Sequence, residues 1–123
     1  MQKTTTGIIT NMKYQQGDII LIPFPFNDNF SLSKKRPCLI ISKNEINTHA
    51  CIVAKITSVI KNDYLSYPIF KIDVSGFDML KASEVRTNEI MTIHETLIIN
   101  KIGSIKKESL EKVLLMVKDH ISM

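Results

Sequence analysis

Apolar residues come in short blocks along this chain, and their period changes only once. Gly17-Asp18 leads into the unbroken run Ile19-Ile20-Leu21-Ile22, which Pro23 closes. A run this short, β-branched and bounded by Gly and Pro, predicts a strand covered on both faces. Pro23 and Pro25 have no N–H to give a ladder, so regular pairing is expected to end there. Asn27 to Lys35, rich in Asn, Asp, Ser and Lys, reads as a loop. Further strands are expected at Pro37–Ser42, Ala50 to about Thr57, Pro68–Ile72, Ser83–Ile93 and Leu97–Ile102, with Gly103 stopping the last. Polar stretches at 43–49 and 61–67 read as turns, and Phe77 to Ala82 fits neither period.

The period then lengthens. Leu110, Val113, Leu114, Val117 and Ile121 fall on one stripe of a helix, with Ser104 in the expected cap region. About five or six short strands and one helix with a stripe to bury predict a mostly β domain, a small curled sheet or partly closed barrel. An apolar strand edge left open would favour pairing with a second copy of the chain. Residues 1–13 are polar and irregular, so a flexible N-terminal arm is expected before one domain at 14–123.

Composition narrows the class. A length of 123 residues fits one domain and not two. There is no apolar run long enough to span a membrane and no basic segment leading into an apolar one, so a cytoplasmic protein is expected. The formal charge of +4 suits an anionic partner, nucleic acid above all. Cys38 and Cys51 each lie inside an apolar run and read as small buried hydrophobes. A disulfide would need their strands to be neighbours, and the cytosol disfavours one. The Asp and His residues are scattered, with no metal-ligand spacing, phosphate-binding glycine loop or Gly-x-Ser-x-Gly elbow. No metal and no cofactor are therefore expected.

The informative stretch is GDIILIPFPFNDNFSLSKKRPCLIIS, residues 17–42. It ends in the basic cluster Lys34-Lys35-Arg36, a proline and a second apolar run. Pro37 pushes Arg36 toward an extended backbone, at the root of the expected loop. The planar guanidinium can give two hydrogen bonds to a phosphate. The plain alternative is a solvated basic loop end in a surface ion pair. Arg86 and Asn88 lie two apart on an expected strand and so share a face. Arg86 reads equally well as the cross-strand partner of a carboxylate. Phe24, Phe26 and Phe30 flank the first loop; Phe24 reads as cover for the core or a dimer seam, while Phe26 and Phe30 are open between that and base stacking. His49 reads as solvated, His94 as structural, and His120 as favourable positive charge near the helix C-terminus.

Four segments in this order resemble the MazF/PemK toxins, in their PemK-like branch. GDIILIPFPFND with KKRP is similar to the family's first two strands. Ala54-Lys55-Ile56-Thr57-Ser58 is similar to its third, Glu84 to Ile93 to its fifth, and Lys101-Ile102-Gly103 with the helix to its ending. The resemblance covers about residues 14 to 121. It implies an SH3-like barrel with a C-terminal helix, a homodimer, and an antitoxin whose flexible tail covers the RNA groove. It also implies cleavage of single-stranded RNA without metal, leaving a 2′,3′-cyclic phosphate and a 5′-hydroxyl. By resemblance Arg36 contacts the phosphate and Thr57 gives a hydrogen bond to a nonbridging oxygen, with Ser58 assisting. Arg86 is a further catalytic candidate, and Asn27, Lys34, Lys35 and Asn88 are candidates for RNA contacts. Where part of the family has an acid near Arg86, this chain has Asn88, which binds but transfers no proton. Residues 27–35 hold no histidine, so a base from that loop is excluded.

The implied chemistry is sound. A ribose 2′-OH lies beside its own phosphate, so positioning does much of the work. What the protein must add is stabilisation of the extra charge on the phosphorane and the handling of two protons. Two other readings compete with the nuclease. A toxin with a related barrel binds DNA gyrase and cuts nothing, and a binding module would keep the fold without catalysis.

Overall fold

Seven antiparallel strands form one sheet, and its two edges are joined by a single turn. The computed structural model describes the backbone of residues 12–26, 29–79 and 81–123 and, outside 24–33, their side chains. The strands are β1 (Asp18–Phe26), β2 (Asn29–Ile40), β3 (Ala50–Thr57), β4 (Ser66–Ile69), β5 (Val74–Ser75), β6 (Ser83–His94) and β7 (Asn100–Ile105), followed by helix α1 (Lys107–Ile121). Their order across the sheet is β4-β6-β3-β2-β1-β7-β5. The edge strands β4 and β5 are neighbours in sequence, linked by a 3-10 turn at Lys71–Asp73. The sheet therefore curls into a nearly closed barrel.

The run at 19–22 is covered on both faces, as its composition predicts. Ile19 packs in a core with Leu39, Ala54, Val85 and, from the helix, Val113 and Val117. Ile20 and Ile22 point the other way, into a second cluster with Cys38, Ile40, Cys51, Val53 and Ile93. Leu110 and Leu114 complete the buried stripe, but Ile121 is 72% exposed, so the apolar seam stops one turn short of the expected end. Cys38 lies opposite Lys55 and Cys51 opposite Ile93, so the thiols are not cross-strand partners. Both are free and buried, and burial pushes them up to about 12 and about 11.

Several expected boundaries are corrected. β1 does not end at Pro23 but pairs on, with Pro23 opposite Lys35 and Phe24 opposite Lys34. Its pairing with β7 reaches only Leu21, so beyond that point one neighbour remains. That is the edge condition under which proline is tolerated, and the irregularity between Phe24 and Phe26 falls on Pro25. β2 takes in residues 29–35, most of the expected loop. The short β5 has no counterpart in the sequence reading, and β7 starts at Asn100 and passes through Gly103. Residues 1–11, most of the expected arm, lie outside the described residues; Met12 is buried and donates its N–H to Asn47 O at 2.9 Å.

Ser104 is not the helix cap; it pairs with Asp18 within β7. The start of α1 is held instead by Asp73. Ser109 Oγ donates to Asp73 Oδ1 at 3.0 Å, Phe70 N donates to Oδ2 at 2.7 Å, and Lys106 N donates to the Asp73 carbonyl at 2.8 Å. A carboxylate here also suits the positive end of the helix dipole.

Gly103 is where β7 and the segment after β5 touch. A Cβ on it would stand 2.5 Å from Ser75 O, 2.8 Å from Phe77 N and 2.7 Å from Phe77 Cβ. Two of these are backbone atoms and cannot swing aside. Gly103→Ala is therefore expected to destabilise the fold by about 1–3 kcal/mol, as overpacking does. A urea unfolding midpoint equal to the wild type would show that the crossing is looser than this.

Candidate functional site

Arg36 sits in β2 opposite Ile22, so it is anchored within a ladder rather than at a loop root. It is half-buried and lines a cleft of about 350 Å³. Ser58, just past the end of β3, lines the same cleft, with Pro37 and Ile56 as apolar wall. The facing wall comes from residues 77–83, the segment that fits neither period in the sequence: Phe77, Asp78, Met79, Lys81 and Ser83. None of these was singled out by sequence. Their only signal was negative, an irregular stretch with a charge between two apolar residues.

Cys38 pairs with Lys55 and Leu39 with Ala54. The same register carried two residues further sets Arg36 opposite Thr57, on one face of the sheet. Thr57 is the last residue of β3 and does not wall the cleft, whereas Ser58, in the bend just past the strand, does. Thr57 Oγ1 accepts from Val59 N at 3.1 Å, which leaves its hydroxyl proton available to donate. Lys34 and Lys35 are exposed, directly before Arg36 on the strand. Asn27 and the side chains of Phe24, Phe26 and Phe30 lie outside the described residues.

Arg86 is elsewhere. It is 6% exposed and held by acceptors: Nη1 donates to Asp63 Oδ1 at 2.8 Å and to Ser66 Oγ, and Nε donates to Glu89 Oε2 at 3.0 Å. It is the partner of carboxylates, but not across a strand as expected: Glu89 belongs to β6 itself and Asp63 to the turn before β4, while the residues opposite are Lys55 and Ser66. The expected shared face with Asn88 is corrected, because β6 bulges. Ala54 pairs with Ile90 but Lys55 pairs with Arg86, which leaves 87–89 without counterparts in β3. Arg86 is therefore buried while Asn88 is exposed. The bulge also brings an acid to Arg86 after all: Glu89, which Lys55 Nζ approaches at 3.5 Å.

A buried carboxylate, Glu84, lies opposite Thr57 and accepts from the backbone N–H groups of Lys61 and Asn62 at 3.0 and 2.9 Å. It pins the turn that leads away from Ser58. Burial pushes the Glu84 carboxyl up, but hydrogen bonds from Lys61 N–H, Ser66 and Asn62 N–H and the Arg86 charge outweigh it, holding the group below its ordinary value. Glu89 is likewise held low, burial being outweighed by Arg86 and Lys55. Asp63 is held low chiefly by its hydrogen bond from Arg86.

The histidines stand apart from the cleft. His49 stacks on His94 at 6.5 Å and lies 3.6 Å from Glu95, at the far ends of β3 and β6. His120 Nε2 is 2.8 Å from Thr87 Oγ1, whose own proton goes to Leu65 O at 2.6 Å. Nε2 must therefore carry a proton, and His120 ties the helix end to the β6 bulge rather than serving the dipole alone. Among the described residues no three His, Cys, Asp or Glu side chains gather as a metal site. A larger apolar depression of about 410 Å³ lies on α1 between Leu114 and Leu115, but Glu111 and Lys118 are its only charges and it holds no nucleophile.

Comparison with known proteins converges on one family. The family described as PemK-like, MazF-like toxin of type II toxin-antitoxin system matches residues 15–121. No curated protein matches. Among solved structures, MazE-MazF from Deinococcus radiodurans (Form-II) superposes with a TM-score of 0.74 at 14% identity, covering 92% of this chain and 99% of that one. Mycobacterium tuberculosis toxin MazF-mt6 gives 0.64 at 20% identity, covering 83% and 93%. An endoribonuclease in complex with its cognate antitoxin, from a mycobacterial species, gives 0.65 at 15% identity, covering 88% and 93%. These likenesses are of fold.

The lowered carboxyls make stability depend on pH. Each binds its proton less readily folded than unfolded, so its contribution is full above the ordinary value, 4.5 for Glu84, and is lost as pH falls through the lowered one. Urea midpoints are expected to drop between about pH 6 and about pH 3.5. Glu84→Gln should cost about 1–3 kcal/mol at the higher pH and flatten that drop. An acid-induced drop as steep in Glu84→Gln as in the wild type would remove Glu84 from this account.

Proposed function

The chain belongs to the PemK-like, MazF-like toxins of type II toxin-antitoxin systems, and from that membership we propose that it is an endoribonuclease cutting single-stranded RNA at short sequences. The reaction is attack of a ribose 2′-OH on the adjacent phosphate. The P–O bond to the 5′ oxygen breaks, leaving a 2′,3′-cyclic phosphate and a 5′-hydroxyl, and no metal takes part. The observation that carries this reading is that Arg36 and Ser58, far apart in sequence, wall one cleft.

Each role follows from the residue's chemistry. Arg36 binds two oxygens of the phosphate and stabilises the charge that builds on the phosphorane. Thr57, opposite Arg36 by register and next to Ser58 at the edge of the cleft rather than in its wall, has its hydroxyl oriented by the Val59 N–H and donates to a nonbridging oxygen. Ser58 donates from the cleft wall. Arg86 keeps its neighbours in place from inside the barrel wall and touches no substrate. Glu89 is the acid beside it, but a carboxyl held low is a weak base, so charge stabilisation and alignment carry most of the rate. Lys34, Lys35 and Asn88 are exposed and serve the RNA strand as surface contacts. In this reading the toxin acts in the cytoplasm as a homodimer and is silenced by an antitoxin whose flexible tail occupies the cleft. The mycobacterial relative described with its cognate antitoxin supports that partner.

The test is incubation of the purified protein with a long unstructured RNA in EDTA, with the new ends mapped. Cleavage at a recurring short sequence, leaving 5′-hydroxyl ends, is expected. Arg36→Ala should lose about 10²–10³-fold in rate, as removal of one charge-stabilising group does. Raising salt should inhibit steeply as phosphate contacts weaken. Intact RNA with folded, antitoxin-free protein in excess would overturn the reading and favour a binding role such as topoisomerase inhibition.

A further inference from the structure

Asp78 is the carboxylate that lines the cleft, and it differs from those bonded within the strands and their turns. Asp18 bonds Gln15 N and Lys101, Asp63 and Glu89 bond Arg86, Asp73 holds the helix start, and Glu84 holds a turn. Asp78 is exposed, lines the cleft with Arg36 and Ser58, and makes no hydrogen bond or ion pair among the described residues. Lys81 lines the same cleft without forming an ion pair with it. A lone carboxylate repels the phosphate that this cleft is built to take, so its place there calls for another partner.

The backbone fixes where it stands. Met79 N donates to Phe77 O at 3.0 Å, a three-residue turn with Asp78 at its tip. Phe77 and Met79 on either side pack into the main core, and Phe77 is also held against Gly103. Asp78 is therefore presented by two anchored neighbours, which lowers the ordering cost of any contact it makes.

We infer that Asp78 reads a guanine base flanking the phosphate held by Arg36, its two carboxylate oxygens accepting from guanine N1–H and N2–H. This rests on the nuclease reading for the phosphate beside it. An ionised carboxylate only accepts hydrogen bonds, through two oxygens side by side. Single-stranded RNA offers its Watson–Crick edges to such groups. Guanine alone presents two adjacent donors on that edge. Adenine sets N1, an acceptor, beside its amino group; cytosine does the same with N3; uracil flanks its single donor with two carbonyl oxygens. Against any of these the second carboxylate oxygen would face an acceptor, which selects against the wrong base. The cleft, at about 350 Å³, lies toward the small end of ligand sites of about 300–1,000 Å³. Its walls of Pro37, Ile56, Phe77 and Met79 offer apolar surface to the base.

Two measurements separate this site from the nuclease reading. The first uses pools of noncleavable 2′-O-methyl heptanucleotides, identical except that inosine, which lacks the 2-amino group, replaces guanine in one. The wild type is expected to bind the guanine pool about fivefold or more tightly, and Asp78→Asn to bind both alike. This holds whether or not RNA is cut, so failure of cleavage alone leaves it standing. The second maps cleavage sites. The wild-type sites should share a guanine at one fixed position, and Asp78→Asn, with one donor and one acceptor, should relax toward adenine there. Equal affinity of the wild type for both pools, an unaltered preference in Asp78→Asn, or mapped sites with no common guanine would each overturn the assignment. Asp78 is exposed and unbonded among the described residues, so the variant should fold.

Discussion

The close crossing at Gly103 is the constraint on which both barrel and cleft depend. β7 can carry β5 at its edge and still let Ser75 and Phe77 pass over it only because position 103 has no side chain. That passage lets two edge strands, β4 and β5, meet through one short turn instead of lying open. It also sets the direction in which the chain leaves β5, and residues 77–83 then become one wall of the cleft. Asp73 fastens the same turn to the start of α1. Closure of the sheet, docking of the helix and one side of the candidate site are thus three consequences of one local geometry.

The opposite wall is held by charge. A guanidinium buried in a barrel wall costs several kcal/mol in desolvation unless its donors find acceptors. Arg86 finds Asp63, Ser66 and Glu89, and Glu84 nearby takes two backbone N–H groups. Such a network adds little over a well-packed apolar one, yet losing any one member leaves another charge stranded. Its use is geometric. It binds β4, β6 and the turn after β3 into one piece, so Thr57 and Ser58 end a strand that cannot splay.

How much of this was legible in the sequence depends on the range of the interaction. The strands at 19–22, 50–57 and 83–94 and the helix stripe were legible, because alternation and the 3.6 period are local and the core rewards them. Arg36 and Ser58 were singled out by resemblance, and what the structure adds is that they wall one cleft. The arm at 29–35 was not legible, since its alternation is confined to Phe30 and Leu32 among Asn, Ser and Lys, which read as loop residues. Ser104 was misread as a cap because the group that performs that task, Asp73, lies 36 residues before Ser109, with β5, β6 and β7 between them. Asn88 was read as the missing acid on the assumption of a regular strand. A bulge shifts the count by whole residues, and Glu89 takes the place beside Arg86. Asp78 carried no local signal, because what distinguishes it is the absence of a bonding partner, a property of three dimensions.

A modest excess of positive charge is consistent with a site that must both hold and discriminate. In the proposed function Lys34, Lys35, Arg36 and Lys81 supply attraction to any phosphate chain, and attraction of that kind is blind to sequence. Adding more cations would tighten every RNA equally and would slow release from wrong ones. Discrimination needs a group that penalises the wrong base, and in a cationic cleft the strongest such group is an anion with no other partner. On the inference drawn for it, Asp78 gives up some phosphate affinity for that penalty. Placing the selective group on the Gly103-dependent wall and the phosphate-binding group on the opposite strand lets each change without disturbing the other. One barrel can in this way keep its chemistry on β2 and β3 while the segment after β5 sets which base is read.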